Sequence, residues 1–211
     1  MSEMPRYAFD IETTGLDWRA DRVTTYALYG ENVSVVEEGA DERRLVLRMR
    51  DLLASLPAGV VLTWNGAVFD GPFVAGRSKV LGLPEWFDFA RDPSIVPKYE
   101  PQPGFEAAGL HPIFPALGGA THSHTDIAYG YWRSWAQDYR VQHSLKPVAR
   151  AVGIEVVKVD REHMGTLSVS ERLAYCLSDV VATYRLAELA RVAARRNGSP
   201  EPAHVGRPDQ S

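Results

Sequence analysis

The sequence predicts an α/β domain with a mixed central β-sheet flanked by helices, and three observations lead to this fold class. Stretches with high β-propensity lie close to the N-terminus, an amphipathic helical pattern is followed by a short buried strand, and a long helical pattern precedes a proline-rich tail. In this strand, hairpin, helix, strand order, the last strand is expected to return beside the first, because connections between elements are short and do not cross.

Three strands of the sheet are predicted as a meander. RYAFDIET covers residues 6 to 13, and VTTYALYG and NVSVVEEG are joined around Gly30, Glu31 and Asn32. All three are rich in β-branched and aromatic residues, which favour strands. VVLTWN, residues 60 to 65, is a short apolar run typical of a buried strand.

Helical patterns separate and follow these strands. Leucines and a methionine recur from Asp41 among interleaved arginines, which predicts an amphipathic helix that ends at Pro57. A second helix is expected after Asp70, ending near Gly82 or Pro84. Both helices therefore adjoin predicted strands, as an α/β order requires.

The C-terminal half is predicted to be mainly helical. Residues 126 to 154 form one such region, in which Ser144 caps the segment SLKPVARAVG and Gly153 ends it. A long last helix is predicted to begin at a capping box formed by Ser168 and Glu171. It is expected to end at about Asn197, because Gly198 is suited to terminate it.

Proline content predicts the domain limits. Residues 1–197 are expected to form one domain, and the proline-rich tail 198–211 is expected to be disordered. Six of the 14 prolines lie between Pro93 and Pro115, which discourages regular structure and predicts a long functional or mobile loop.

Composition excludes several classes of protein. The chain has 211 residues, a formal net charge of -4 and one cysteine, Cys176. A single thiol forms neither an internal disulfide nor a cysteine-based zinc cluster, and no apolar run is long enough to span a bilayer, so a cytoplasmic protein is expected. A general basic coat for nucleic acid is excluded, whereas a local site whose charge is reversed by bound cations is not.

Acidic residues on a predicted strand are the first candidate site. Asp10 and Glu12 are two apart on the first strand, so their side chains project from the same face. Two carboxylates on an apolar strand repel each other unless cations, donors or solvent compensate them. The alternative is that this strand has one solvated face.

Two further candidate positions lie on predicted helices. Asp70 follows a buried strand at the start of a helix, where a carboxylate is also favoured simply by the helix dipole. Tyr175 and Asp179 are four apart in the last helix and face the same way. Taken alone, that pair is most often a partly buried tyrosine and a solvent-facing acid.

In combination, these motifs resemble the DEDD superfamily of 3′-to-5′ exonucleases, a branch of the ribonuclease H-like fold. FDIETTGL, NGAVFD and YCLSD resemble its three motifs, in the same order. Tyr175 precedes the last acid by four positions, as in the tyrosine subclass. The alternative subclass has a histidine five positions before that acid, where this sequence has Ala174. HTDIAYGYW and HSLKPVARAVGI also resemble segments of family B DNA polymerase proofreading domains and related stand-alone exonucleases, and the resemblance spans about residues 6 to 190.

The resemblance implies a three-layer ribonuclease H-like fold and a two-cation site of Mg²⁺ or Mn²⁺, which prefer oxygen ligands. Asp10 would bridge both cations, Glu12 and Asp179 would complete opposite sides, and Asp70 would act through bound water. Tyr175 would orient the attacking water.

Further residues are candidates for contacts with the substrate or for support of the site. Residues expected to contact the terminal nucleotide are Thr13, Thr14, Gly15, Leu16, Asn65 and Phe69. The first four also fit a plain turn, Asn65 also fits a helix cap, and Phe69 or Phe73 fits either base stacking or the core. Asp126 fits either a hydrogen bond that supports a residue of the site or an ordinary structural role.

Basic and aromatic residues between positions 127 and 154 have two interpretations. They form either a single-strand channel or a helix with an aromatic core face and a solvated basic face. The residues concerned are Arg133, Arg140, Lys146, Arg150, Tyr129, Tyr131, Trp132, Trp135 and Tyr139. His122, His124 and His143 are expected to be solvated or locally bonded rather than metal ligands.

The sequence therefore predicts a metal-dependent exonuclease that releases nucleoside 5′-monophosphates from the 3′ end of single-stranded DNA. One alternative is RNA or very short oligonucleotides as substrate. Another is a non-catalytic nucleic-acid-binding module that accompanies a polymerase. From a length of 211 residues we expect no polymerase domain, so a proofreading role would require a replication or repair partner in trans.

Overall fold

A computed structural model describes residues 4–83, 88–89, 112–115, 121–129, 131–159 and 166–197. The strands are β1 (Arg6–Thr13), β2 (Val23–Gly30), β3 (Val33–Glu38), β4 (Val60–Thr63), β5 (Asp88–Phe89), β6 (Pro112–Pro115) and β7 (Thr121–Asp126). The helices are α1 (Glu42–Ser55), α2 (Asp70–Val80), α3 (Tyr131–Asp138), α4 (Leu145–Ala151) and α5 (Val169–Asn197).

The described strands form a mixed sheet in the order β3-β2-β1-β4-β7-β6-β5. β1, β2 and β3 are the predicted antiparallel meander. β4 returns beside β1 in parallel, and β7 lies parallel to β4. The predicted mixed α/β sheet is confirmed.

Side-chain caps explain where two helices begin. The Asp41 carboxylate accepts a hydrogen bond from the Arg44 N–H, which satisfies a backbone donor in the first turn of α1. Before α5, Glu171 accepts from the Ser168 N–H and Ser168 Oγ accepts from the Glu171 N–H. This is the predicted capping box.

Alternating side chains of β1 contribute to two separate cores. Tyr7, Phe9 and Ile11 pack with residues of α1 and α2 on one face of the sheet. Ala8 lies on the opposite face, with residues of α3, α4 and α5. Helices therefore cover both faces of the sheet, which gives the expected three layers.

The prediction that residues 126 to 154 are helical is wrong at its start. Asp126 ends the strand β7, and only the shorter helices α3 and α4 follow. The sequence did not predict this strand, because it lacks the apolar side chains typical of a buried strand. Its residues His122 and His124 are nevertheless fully buried rather than solvated. The ring nitrogen Nε2 of His122 lies 2.8 Å from the Leu53 carbonyl oxygen, and that of His124 lies 2.8 Å from Thr63 Oγ1.

Helices α2 and α4 end just before the glycines that were predicted to terminate them. Gly82 and Gly153 have φ angles of 64° and 79°, a left-handed conformation that glycine adopts at low cost. Ser144 occupies the N-cap position of α4, but its side chain makes no capping hydrogen bond.

Two predicted segments lie largely outside the described residues. The tail 198–211 and residues 93–111 are not among them. Pro112–Pro115 form β6, which pairs with β7, so the prediction of irregular structure up to residue 115 is wrong there. Within the part of the chain that the structure describes, no helix has the length and apolar composition needed to cross a bilayer.

Candidate active site

Asp10 and Glu12 lie on the face of β1 that is directed toward α5. They alternate with the core residues Phe9 and Ile11, and they share the face of Ala8, which packs in the core beneath α5. Both acids are partly buried. The period of two along a strand therefore places two carboxylates between the sheet and the long last helix.

The facing residues of α5 are Tyr175, Cys176 and Asp179. Their exposed fractions are only 3%, 0% and 7%, so the interpretation of Asp179 as a solvent-facing acid is wrong. Cys176 Sγ donates a hydrogen bond to Asp10 Oδ2 at 3.9 Å. One ligand atom from each of Asp10, Glu12 and Cys176 lies within 4.8 Å of the others.

Asp70 reaches this site from the start of α2. β1 pairs with β4 only over Arg6 to Ala8, so the Ile11 N–H beyond this stretch lacks a β4 partner. Asp70 Oδ1 accepts that N–H at 3.0 Å, and its side chain is buried. The divergence of β1 from β4 thus creates the place that the Asp70 carboxylate fills.

Burial and the charges of neighbouring acids raise the pKa values of Asp10 and Asp70. The pKa of Asp10 is raised well above its ordinary value by burial and by the charges of Asp70, Glu12 and Asp179, whereas Lys146 lowers it. Burial raises the pKa of Asp70 to about 7, although the Ile11 hydrogen bond acts in the opposite direction. The acids therefore lie close enough to interact strongly in a region of low dielectric constant.

The Cys176 thiol stays protonated in this environment. Its pKa is raised well above the ordinary value, first by burial and then by the nearby acids Asp10, Glu12, Asp179 and Asp70. A protonated thiol is a poor metal ligand, so the oxygen donors dominate the chemistry of the cluster.

Lys146 is a residue of this site that the sequence did not reveal. Its Nζ lies 3.1 Å from Asp179 Oδ1 and 3.3 Å from the centre of the Tyr175 ring. In the sequence it is one of several basic residues between positions 127 and 154, and no spacing relative to the acidic motifs distinguishes it. It is directed into the acidic cluster, not along a channel.

Asp126 holds the turn from β4 to α2. Its carboxylate accepts hydrogen bonds from the N–H groups of Asn65, Ala67 and Ala128 at 2.8, 2.9 and 3.1 Å. Burial raises the pKa of Asp126 to about 6, against the effect of these three donors. The structural interpretation of Asp126 is the one that its contacts support, and the turn that it holds leads directly to Asp70.

Asn65 does not cap α2, and its backbone is in the left-handed conformation. Its φ angle is 67°, and its side-chain oxygen accepts a hydrogen bond from the Tyr129 hydroxyl at 2.9 Å. The N-cap of α2 is Phe69, without a side-chain capping bond, so the predicted Asn65 cap is wrong. A contact between Asn65 and substrate stays a prediction.

The loop after β1 is a tight turn with one exposed apolar side chain. Thr13 Oγ1 donates to the Gly15 carbonyl oxygen at 2.6 Å, and Thr14 Oγ1 donates to Asp21 Oδ1 at 3.2 Å. A Cβ on Gly15 would overlap the Asp21 carboxylate. Leu16 is 72% exposed, which leaves it accessible beside the acidic cluster's strand.

Most of the aromatic residues considered for base stacking belong to the core. Phe73 is fully buried, and the partly buried Phe69 packs beside it with ring centres 5.4 Å apart. Trp132 and Trp135 are buried in the core beneath α5. The single-strand channel interpretation is therefore wrong for these two tryptophans.

The donor set fits a divalent cation. Carboxylates from β1, α2 and α5 converge in a buried region, where burial and neighbouring negative charges raise the pKa values of Asp10 and Asp70. Oxygen ligands with this excess of negative charge suit Mg²⁺ or Mn²⁺.

A family model agrees with this fold. The model of the RNase_H superfamily matches residues 7–172 of the chain. The chain belongs to the RNase_H superfamily. The matched range of this superfamily member includes Asp10, Glu12 and Asp70 and ends before Tyr175 and Asp179.

A solved structure has the same fold. The chain is similar to the family B DNA polymerase from the hyperthermophilic archaeon Pyrobaculum calidifontis, with a TM-score of 0.61 and 21% sequence identity. The similarity covers 89% of this chain and 24% of the polymerase chain. No curated protein sequence matches this superfamily member.

Proposed function

We propose that this protein is a metal-dependent 3′-5′ exonuclease that hydrolyses phosphodiester bonds and releases nucleoside 5′-monophosphates. The observation that carries the proposal is the convergence of Asp10, Glu12, Asp70 and Asp179 from three elements. Membership of the RNase_H superfamily supports nuclease chemistry, and the tyrosine-subclass motifs of the sequence support the exonuclease assignment.

The four carboxylates are the proposed ligands of two divalent cations. When bound, the cations would neutralise the scissile phosphate, activate water and stabilise the leaving oxygen. The main task of the protein is to hold the carboxylates close together despite their repulsion. The Ile11 N–H fixes Asp70, and the Cys176 thiol fixes Asp10.

Tyr175 is the proposed positioning residue for the attacking water. Its ring is buried one helical turn before Asp179 and lies against Lys146 Nζ. These contacts restrict the orientation of the phenol, so its hydroxyl can direct a water molecule without a loss of side-chain entropy at each turnover.

The proposed substrate is the 3′ end of single-stranded DNA. The terminal nucleotide would contact the loop Thr13 to Leu16, with Asn65 and Phe69 near the start of α2. Resemblance to family B proofreading domains and structural similarity to a family B DNA polymerase support DNA over RNA. A replication or repair protein acting in trans is the expected partner.

The test uses a 5′-labelled single-stranded oligonucleotide with Mg²⁺ or Mn²⁺. The wild type should give a descending ladder, and a 3′-labelled strand should release labelled mononucleotide first. Asp179→Asn should abolish both, whereas Asp51→Asn should not, because Asp51 is an exposed acid outside the cluster. Equal ladders from wild type and Asp179→Asn would show that the activity comes from another nuclease.

Substrate class and catalysis are then tested separately. Higher kcat/KM on RNA or dinucleotides than on DNA would replace the DNA assignment with an oligoribonuclease. Two calorimetric titrations would instead favour a non-catalytic binding module. One would show oligonucleotide binding in EDTA, and the other, without EDTA, would show no Mn²⁺ binding.

A further inference from the structure

Lys146 occupies an unusual position for a lysine. It lies in the first turn of α4, and its side chain is only 17% exposed while that of its partner Asp179 is 10% exposed. A lysine near a surface ordinarily extends its ammonium group into water. Here the ammonium instead contacts a carboxylate and the face of the Tyr175 ring.

The contacts of Lys146 indicate what its charge does. Burying an ammonium is costly unless an opposite charge compensates it. Asp179 supplies that charge, and the ring of Tyr175 adds a cation-π contact. Burial and the charges of the neighbouring acids raise the pKa of Asp10, whereas the charge of Lys146 lowers it.

We propose that Lys146 is a built-in counter-ion that holds Asp179 and Tyr175 in place in the metal-free protein and leaves Asp179 when a divalent cation binds. The inference rests on the proposed function. Lys146 Nζ already lies 3.1 Å from the Asp179 carboxylate that is a proposed cation ligand, and two positive charges on the same carboxylate repel each other. The flexible four-carbon stem of lysine allows the ammonium to move without a change in α4.

Two consequences distinguish this role from a purely structural one. Without Lys146, the metal-free protein should be less stable, because the acids lose a compensating charge. The same variant should bind a divalent cation more tightly, because a competing positive charge is gone. A residue that only supports the fold would lower stability without improving affinity for the cation.

The test compares Lys146→Met with Arg150→Met. Both variants remove one positive charge from α4, but Arg150 is exposed. Calorimetric titration with Mn²⁺ should show about ten-fold tighter binding for Lys146→Met, and a change below about two-fold for Arg150→Met. The melting temperature in EDTA should fall more for Lys146→Met, and Mn²⁺ should restore it.

Each alternative outcome has one meaning. If the wild type does not bind Mn²⁺, both the proposed function and this inference fail. If the wild type binds Mn²⁺ and Lys146→Met binds it equally or more weakly, the counter-ion role fails and the nuclease proposal stands.

A measurement on the wild type does not depend on the variant folding. Lysine side-chain NMR should show the Lys146 ammonium signal changing during a Mg²⁺ titration, in step with the calorimetric binding curve. The Lys79 signal is the internal reference, because that residue lies in the last turn of α2. A Lys146 signal that does not move at saturating Mg²⁺ would overturn the inference.

Discussion

Two buried charged groups lie on opposite faces of the sheet and differ in how their charges are compensated. On the face covered by α1 and α2, Arg77 donates to both carboxylate oxygens of Glu42, at 2.8 and 2.5 Å. Glu42 also accepts the Val23 N–H, and Arg77 also donates to the Trp18 carbonyl oxygen. On the face covered by α5, carboxylates repel one another and Lys146 offsets only part of that repulsion.

Buried charged residues of the same types serve two purposes in this protein. The Glu42–Arg77 pair connects α1, α2, β2 and the loop before β2, so its charges support the fold. The acidic cluster lowers the stability of the metal-free protein, since its ionised form is disfavoured. A group of buried charges that the fold compensates only in part is a functional-site candidate with a physical reason.

The largest expected effect is on activity, from Asp10→Asn. This change should lower kcat/KM on single-stranded DNA by about 10⁴-fold, because one of the proposed cation ligands is lost. It should also raise the free energy of unfolding in EDTA at pH 8 by about 1 kcal/mol, because a repelling buried charge is removed. Asp51→Asn is the control for both measurements, and a loss of stability in Asp10→Asn would contradict the repulsion argument.

Arg77→Met tests the compensated group. Removing one partner of a buried ion pair leaves the Glu42 charge unpaired and should cost about 3 to 5 kcal/mol in urea unfolding. In the double variant Glu42→Met/Arg77→Met, the apolar side chains should restore part of that stability. Additive losses in the double variant would show that the pair does not act as a unit.

Asp126→Asn tests a buried acid that is compensated by backbone donors. Burial raises the Asp126 pKa from 3.8 to about 6. The folded wild type therefore binds more protons than the unfolded chain in this window, and its stability falls as pH rises from 4 to 6. Asp126→Asn should lack this decrease, which amounts to about 3 kcal/mol for a shift of this size.

The pH experiment compares the two proteins by urea unfolding in EDTA. Besides burial, the Asp126 charge also raises the pKa of Asp70, so the same comparison is repeated in an Asp70→Asn background. There the Asp70 titration is absent from both proteins, and the difference between them reports Asp126 alone. A difference that stays constant from pH 4 to 7 would mean that Asp126 has an ordinary pKa.

The smallest expected effect comes from Gly76→Ala. A Cβ at Gly76 would overlap the Trp18 ring. The backbone carbonyl oxygen of Trp18 also accepts a hydrogen bond from Arg77. The displacement should cost about 1 to 3 kcal/mol, and it should raise KM more than it lowers kcat, because Trp18 and Leu16 belong to the same loop. Trp18→Phe in the Gly76→Ala background should recover part of both losses, since the smaller ring makes room for the Cβ.

Local periodicity was enough to predict the meander, α1, α5 and the mixed sheet. It also predicted that Asp10 and Glu12 share a face and that Tyr175 and Asp179 share another, because strand and helix periods fix these relations. The contact between the two faces depends on how α5 crosses the sheet, which no local pattern contains. The motif resemblance supplied that step.

Non-local contacts account for what the sequence did not predict. Lys146 reaches Asp179 because α4 packs beside α5 in the same core, and neither helix indicates the other in its sequence. β7 was missed because its buried side chains are polar, and their partners Leu53 and Thr63 lie about 60 to 70 positions earlier. Burial of a histidine is visible only when its distant partner is known.

The small side chains between α5 and the sheet restrict which substitutions this protein can accept. Ala8 and Ala27 on the strands, and Cys176 and Ala182 on α5, are all fully buried in one core. A larger residue at Ala8 or Ala27 would push the helix outward and separate Asp10 from Asp179 without touching either carboxylate. Sequences that preserve the fold are therefore more numerous than sequences that preserve the spacing of the acids, and the size of an alanine methyl group sets that spacing.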